Sequence, residues 1–468
     1  MALSGARIIR VSVGVQQPVS RWRRWARRVT LAILCLAASL GLWRLALNGF
    51  VAGQITDIRE KSYPVTLAEL NRWYPRVAPV ENGAVLFDRA FASLPRQSAR
   101  ADKLHGETVF ESSRPGLSAE LTAQTTADSL DGNDDVLALL HQASNTPRCR
   151  FPIDLRTLSI MPYPHLGNLI RSAHLLETDA ANHTVCSDPQ PAVASVQSLF
   201  ALSHSLAKEP LVRSHLARLE CQQIAVNSLQ NLLNSASLTD KQLDALGDAL
   251  QKAEDQRGLA RAFIGQRCIG IYGFDMMQDT LDLTALPVAR SYPLGQRFLI
   301  NLGVFFGSPG YLYDLCGLLR WDELNYLHFM DRCIQTAQMA FPERIDATQA
   351  LRQTLERETE LHALSRAWLR GMNGPRVILK DAALAARLRE ARLAIAVERY
   401  RLAYNQLPRT LGELESSGIG MAPADPFNGR PLRYTRLSNG YVVHSVCQNN
   451  TSANDGDGLR DAVFIVER

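Results

Sequence analysis

Lysine is nearly missing from this chain. Six of its 51 basic residues are Lys and the rest are Arg, a bias of GC-rich bacterial genomes rather than of a site. Aromatic residues are also sparse, at 7%, and charged residues reach only 21% against 46% apolar, which is the balance of an ordinary folded protein. A length of 468 residues excludes a disulfide-stapled mini-protein, and 22 Pro with 29 Gly exclude a fibrous or low-complexity chain. No Walker loop, Gly-x-Gly-x-x-Gly or Gly-x-Ser-x-Gly occurs. The ten His include no pair at i,i+4 and no His-Glu-x-x-His, so a helical zinc site is not written here. The formal charge of +5 is confined: residues 1–28 hold seven Arg and no acid, which leaves the other 440 residues at −2. A nearly neutral body gives no footprint for nucleic acid.

Long apolar runs are absent except for one. From Val29 to Trp43 fifteen residues pass without a charge, Arg44 interrupts, and Leu45 to Ala52 resume. As a helix, Val29–Ala52 spans about 36 Å, enough for a hydrocarbon core of about 30 Å. Arg23, Arg24, Trp25, Arg27 and Arg28 supply an interfacial aromatic and a positive-inside signal on one side, and Trp43 suits the other interface. The expected topology is one pass through a bacterial inner membrane, with residues 1–28 cytoplasmic, 29–52 in the bilayer and the bulk periplasmic. Arg44 is expected to snorkel to the far interface. A cleaved signal is the rival, with Val51-Ala52-Gly53 as its site. No Ala-x-Ala closes the run and its length exceeds a signal core, so the uncleaved anchor is favoured. Cys35 lies in this run without a lipobox.

Beyond the anchor the pattern is helical almost throughout. Thr66, Thr239 and Thr410 each precede Glu or Gln by three, the mark of a capping box, and Leu238 with Leu243 adds a staple at the second. Helices are expected at about 82–94, 134–142, 164–179, 191–208, 211–235, 257–279, 311–339, 347–370 and 375–404, with Pro210 folding two of them back as a hairpin. The polar stretch 95–133 reads as a long loop with one short helix, and the Pro-interrupted 281–310 is the least legible part. The expected fold class is mainly α: an irregular α-solenoid or helical bundle over 53–374, then a small α+β module over 375–468. Cys221, Cys268, Cys316 and Cys333 fall in apolar helical runs, where thiols act as small hydrophobes. Cys149, Cys186 and Cys447 sit in loop-like sequence and allow one disulfide in an oxidising compartment.

The last 45 residues change period. Leu432–Arg436 and Tyr441–Val446 flank Ser438-Asn-Gly440, a hairpin signal, and Asp461-Ala-Val-Phe-Ile-Val466 reads as a third strand. Three short stretches here carry a likeness: Leu393-Ala-Ile-Ala-Val-Glu-Arg-Tyr400 with Asn405-Gln-Leu-Pro408, Asp425-Pro-Phe-Asn-Gly-Arg-Pro-Leu-Arg-Tyr434, and Gly440-Tyr-Val-Val-His-Ser445. Together residues 385–466 resemble the C-terminal module of major pseudopilins of type II secretion. The chain departs from that family in lacking a prepilin start and in reading Ser445-Val-Cys-Gln-Asn-Asn450 where the family has Ser-x-Gly-x-Asp-Gly. The resemblance therefore implies the module's fold and not pilus assembly. The arrangement as a whole is similar to bacterial single-pass membrane proteins, which implies an architecture and no activity.

Few constellations carry chemistry. Asn449 to Asp461 is rich in the hard oxygens that Ca²⁺ prefers, with Asp455, Asp457 and Asp461 as the metal candidates. An EF-hand frame fails, because its twelfth position falls on Ala462 or Phe464, and a solvated turn between strands explains the same residues. By the resemblance, Asp461 matches the family's last calcium carboxylate. No other cofactor is suggested. Ser205-Leu-Ala-Lys208 matches Ser-x-x-Lys, but its companion motifs are missing. Cys149-Arg-Phe-Pro-Ile-Asp154 ahead of Met161-Pro-Tyr-Pro-His165 gathers aromatic, basic and acidic groups in a loop; packing between helical layers and ligand binding both account for it. The sequence thus points to an envelope scaffold or interaction protein whose partners are the lipid bilayer and another envelope protein. A periplasmic hydrolase and a secretion component stand as alternatives.

Overall fold

The computed structural model describes residues 21–94, 133–146, 148–156, 163–184, 189–255, 257–281, 313–314, 316–358, 363–446 and 463–467. The calcium candidates Asp455, Asp457 and Asp461, the loop cysteines Cys186 and Cys447, the expected loop 95–132 and the Pro-rich stretch 282–310 lie outside the described residues.

Helix α1 (Arg21–Glu60) runs unbroken for 40 residues, about 60 Å. Among the described residues it is the one helix long and apolar enough to cross a membrane. The uncharged run from Val29 to Trp43 is almost wholly exposed. From Leu47 onward polar residues enter one face, and Leu47, Val51 and Ile58 form a buried stripe with helical spacing. Val51 and Ile58 pack on Ile271 and Leu327 from α9 (Gly258–Leu281) and α10 (Leu318–Gln338). Leu47 and Val51, placed in the apolar span by sequence, therefore face protein. Arg44 does not snorkel freely but reaches Asp314 at 3.1 Å.

The capping boxes at Thr66 and Thr239 both form, opening α2 (Leu67–Trp73) and α8 (Asp240–Ala253). The third does not. At α14 (Leu411–Ser416) no box closes: Glu413 N donates to the Thr410 carbonyl at 3.2 Å rather than to its hydroxyl, and the Glu413 carboxylate accepts from Arg409 N at 2.8 Å and from Tyr400 Oη at 3.3 Å. Between α2 and α8 come α3 (Ala84–Ser93), α4 (Asp134–Ser144), α5 (Pro164–Thr184), α6 (Gln190–His204) and α7 (Val212–Ser235). Pro210 lacks an amide donor, and α6 and α7 fold back on each other across it.

A single helix expected over 347–370 is two: α11 (Glu343–Glu358) and α12 (Ala363–Met372). The cause is a buried carboxylate on α10. Asp322 accepts from Leu364 N at 3.1 Å and from Ser365 Oγ at 3.2 Å, satisfying a new helix start from outside it. The chain then turns through Asn373 at φ 46° into α13 (Gly374–Tyr404).

Helix α13 packs back on α7 and α8, and α5, α6 and α7 pack mutually, so the body is an irregular bundle rather than a stack of nearest neighbours. Strands β1 (Arg433–Arg436), β2 (Gly440–His444) and β3 (Val463–Glu467) form one antiparallel sheet in that order, with Tyr434 opposite Val443 and Tyr441 opposite Val466. The hairpin falls at the Ser438–Gly440 signal. Gly440 is glycine for a further reason: a Cβ there would lie 1.9 Å from Val466 O on β3. Tyr441, Val443, Phe464 and Val466 share one core with α3 to α8 and α13, while α9, α10 and α12 pack into a second. The fold is mainly α with a small C-terminal sheet.

Candidate functional site

The loop singled out by composition folds against the α6–α7 turn. Asn82 holds it in place, donating from Nδ2 to Arg150 O at 2.9 Å while its Oδ1 accepts from Arg150 N at 2.8 Å. Arg150 then turns its guanidinium to the C-terminus of α2, donating to the carbonyls of Asn71, Tyr74 and Pro75. It also lies 4.0 Å over the Tyr74 ring. A cation at that end complements the helix dipole and its unpaired carbonyls, so Arg150 is a fastener.

Phe151 is fully buried and stacks on His165 at 4.8 Å. His165, on the first turn of α5, places Nε2 3.1 Å from Glu209 Oε1 and 3.3 Å from Oε2. The Glu209 side chain has no exposure, and Ser214 Oγ donates to it from α7. Tyr163 sits edge-on to His165 at 6.2 Å. Burial pushes the Tyr74 phenol well above its usual range, with the charge of Glu209 adding to it. Cys149 is pushed up by burial first, then by Glu209 and Asp88, and burial likewise raises Asp88.

This order of groups decides the chemistry. In a hydrolase triad the hydroxyl faces the imidazole and the acid stands behind it. Here the acid is in the middle, so Ser214 is bonded to the carboxylate and no imidazole addresses it. Cys149 stays a thiol at neutral pH, and the thiolate is the nucleophilic form. The arrangement joins α5, α7 and the turn after α6 through two charge-assisted hydrogen bonds on one buried carboxylate.

A second polar cluster lies across α7 from the first. His215 Nε2 is 3.0 Å from Asp381 Oδ1, and Arg344 Nη1 is 3.1 Å from Asp381 Oδ2. Arg218 binds Asp255 at 3.3 Å and Ala253 O at 3.0 Å, and Gln222 binds that carbonyl at 2.9 Å. Arg389 and Arg392 converge on Glu254 at 2.7 and 3.3 Å. His215, Arg218, Gln222, Glu254, Arg344 and Asp381 line a cavity of about 30 Å³, the size of one or two waters and far below the hundreds of Å³ of a substrate pocket. A larger and more open hollow of about 590 Å³ lies between α3 and α4, bordered by Arg89, Ser93, Asp135 and Gln142.

The remaining sequence candidates separate. Arg23, Arg24, Trp25, Arg27, Arg28 and Trp43 stand exposed on α1, with Trp25 at 63% and Trp43 at 44%. Ser205 donates to Leu202 O at 2.6 Å while Lys208 is exposed to solvent, so they form no acylating pair. Cys221, Cys268 and Cys333 are buried free thiols, and burial pushes Cys268 up to about 12. Cys316 lies not in a helix but in the turn ahead of α10. Among the described residues no cluster of His, Cys, Asp and Glu has the makings of a metal site.

Sequence reading missed Glu209, Asp255, Asp322, Asp381 and Glu390, acids that are buried or mostly covered. One signal was available. Ser214, His215, Arg218 and Gln222 put polar groups on more than one face of α7, as in a central helix that carries polar contacts on two sides. The chain matches no protein-family model, no curated protein and no solved structure.

Proposed function

We propose that this protein is a membrane-tethered, periplasm-facing scaffold or interaction component of the bacterial cell envelope. One observation carries the reading: α1 leaves its exposed apolar stretch and enters the body without a break, with Leu47, Val51 and Ile58 buried and Arg44 paired to Asp314. A flexible tether lets a catalytic domain roam, whereas a continuous helix fixes the body at one height and orientation above the bilayer. That suits a protein that presents a surface to neighbours. The buried polar clusters support the same reading, since their charges serve to hold helices together. Co-isolation from crosslinked cells tests it. The account expects a defined set of envelope proteins crosslinked to the wild type and lost when Leu47 and Val51 are replaced by Asp. A chain that stays uncrosslinked in intact cells counts against it.

An envelope hydrolase is the second reading, favoured by the grouping of Cys149, Tyr163, His165, Glu209 and Ser214 in one place. A serine- or cysteine-directed activity probe labelling Ser214 or Cys149 in the native protein, and not in the heat-unfolded one, would establish it. The secretion reading rests on the resemblance of residues 385–466 alone. It requires co-purification with pilus-like machinery.

A further inference from the structure

Helices α1, α9 and α10 set a common axis, and their contacts give heights along it. Asp331 on α10 meets both Lys61, just past the end of α1, at 3.6 Å, and Arg267 of α9, at 3.3 Å. Fourteen residues earlier, Gly317 lies against α1 so closely that a Cβ there would be 3.3 Å from both Trp43 and Arg44. Helix α10 therefore runs parallel to α1, about 21 Å from its interface end up to Asp331. Helix α9 runs the opposite way, since Arg320 reaches back to Asp275 and Gln278. Descending α9 from Arg267, Met276 comes about 14 Å down, so it stands about 7 Å beyond the level of Trp43 and Arg44. Tyr272, one turn above it, stands about 13 Å beyond.

Tyr272 and Met276 are large side chains four residues apart, and they are 38% and 51% exposed. Residues at i and i+4 share a helix face. The headgroup layer beyond a hydrocarbon core of about 30 Å is roughly 5–8 Å deep on each side. Met276 thus lies within that layer, continuous with the interface marked by Trp43, and Tyr272 stands on its aqueous side, about 5 Å past the outer edge. We infer that the last turns of α9 rest in the phospholipid headgroup layer of the leaflet from which α1 emerges, so that the body has a second contact with the membrane beside its anchor. This rests on α1 as a membrane-spanning helix.

Photoreactive phospholipids test both statements separately on the full wild-type chain in nanodiscs. One lipid carries its diazirine in the acyl chain and the other in the headgroup, with adducts mapped by mass spectrometry. Met339, at the far end of α10 and 40% exposed, is the internal control. The expected result is acyl-chain adducts on residues 29–43 and headgroup adducts on the peptide holding Tyr272 and Met276, with none on the Met339 peptide. Adducts on α1 with none on α9 overturn the headgroup contact and leave the anchor standing, as does equal labelling of α9 and Met339. No acyl-chain adducts on α1 overturn the anchor and the headgroup contact with it.

Discussion

Arg44 of α1 and Asp314 ahead of α10 meet at 3.1 Å, with Arg44 Nη2 donating to Asp314 Oδ2. The pair joins the end of the exposed apolar stretch of α1 to the body, beside the close approach of Gly317 to Leu47, Arg44 and Trp43. Both side chains are mostly covered, at 32% and 14% exposure. Asp314→Asn keeps the shape and removes the charge, and should cost about 1–2 kcal/mol. For a body of this size that is a fall of about 1–3 °C in the melting temperature of the full chain in detergent, read by calorimetry. A melting temperature equal to wild type would show that the pair does not couple anchor to body.

Glu209 is the acid that receives both His165 and Ser214. Glu209→Ala should cost about 3–5 kcal/mol, because it strands two buried polar groups. Glu209→Gln keeps an acceptor for one of them and should cost clearly less. If both variants melt with the wild type, the cluster is not holding α5 to the hairpin.

Glu390, fully buried on α13, carries a pH signature. Burial raises its pKa from 4.5 to about 7, opposed by Arg387 at 3.3 Å and by the Ser445 amide at 2.9 Å, with the nearby Asp425 raising it further. The folded state therefore holds this proton where the unfolded state has released it. Its contribution to stability is fully present below about pH 4.5 and is lost as pH rises through about 7. The loss amounts to about 3 kcal/mol at most. Glu390→Gln has no proton to lose, so the stability of wild type relative to this variant should fall between pH 5 and pH 8 in urea titrations. A difference that stays flat or rises would contradict the assignment.

Gly265 sits where α9 crosses the α6–α7 turn, and a Cβ there would lie 1.7 Å from Pro210 O. Gly265→Ala should force the two backbones apart and cost about 3 kcal/mol. Gly247, on α8, has open space within 4 Å of the position a Cβ would take, so Gly247→Ala should be neutral or slightly stabilising. Equal melting temperatures for the two variants would refute the close crossing.

Parts of this fold were legible in the sequence. The long apolar helix α1 could be read because its signal is local, an apolar run beside clustered arginines, and the caps at Thr66 and Thr239 because a box closes within three residues. At Thr410 the box stays open, with the Glu413 amide on the Thr410 carbonyl and the Glu413 carboxylate serving Tyr400 on another helix. The split of α11 from α12 was hidden for the same reason, since the cap on α12 comes from Asp322, 42 residues away. The polar clusters could not be read at all. His165 and Glu209 are 44 residues apart, and His215 and Asp381 are 166 apart. The loop from Cys149 to His165 drew attention by its composition, yet the acid that organises it lies on the neighbouring hairpin. Periodicity reports burial along one element, and it is silent on which charges meet across elements.

A continuous anchor, with the body across the membrane from the basic tail, is the central claim, and protease accessibility addresses it most directly. A chain tagged at both ends is expressed in cells, which are converted to spheroplasts and exposed to protease. The account predicts both tags on one polypeptide in the carbonate-washed membrane pellet before digestion, and afterwards the C-terminal tag digested and the N-terminal tag protected. A C-terminal tag that survives in intact spheroplasts, or a chain that has lost its N-terminal tag and left the membrane, would contradict it.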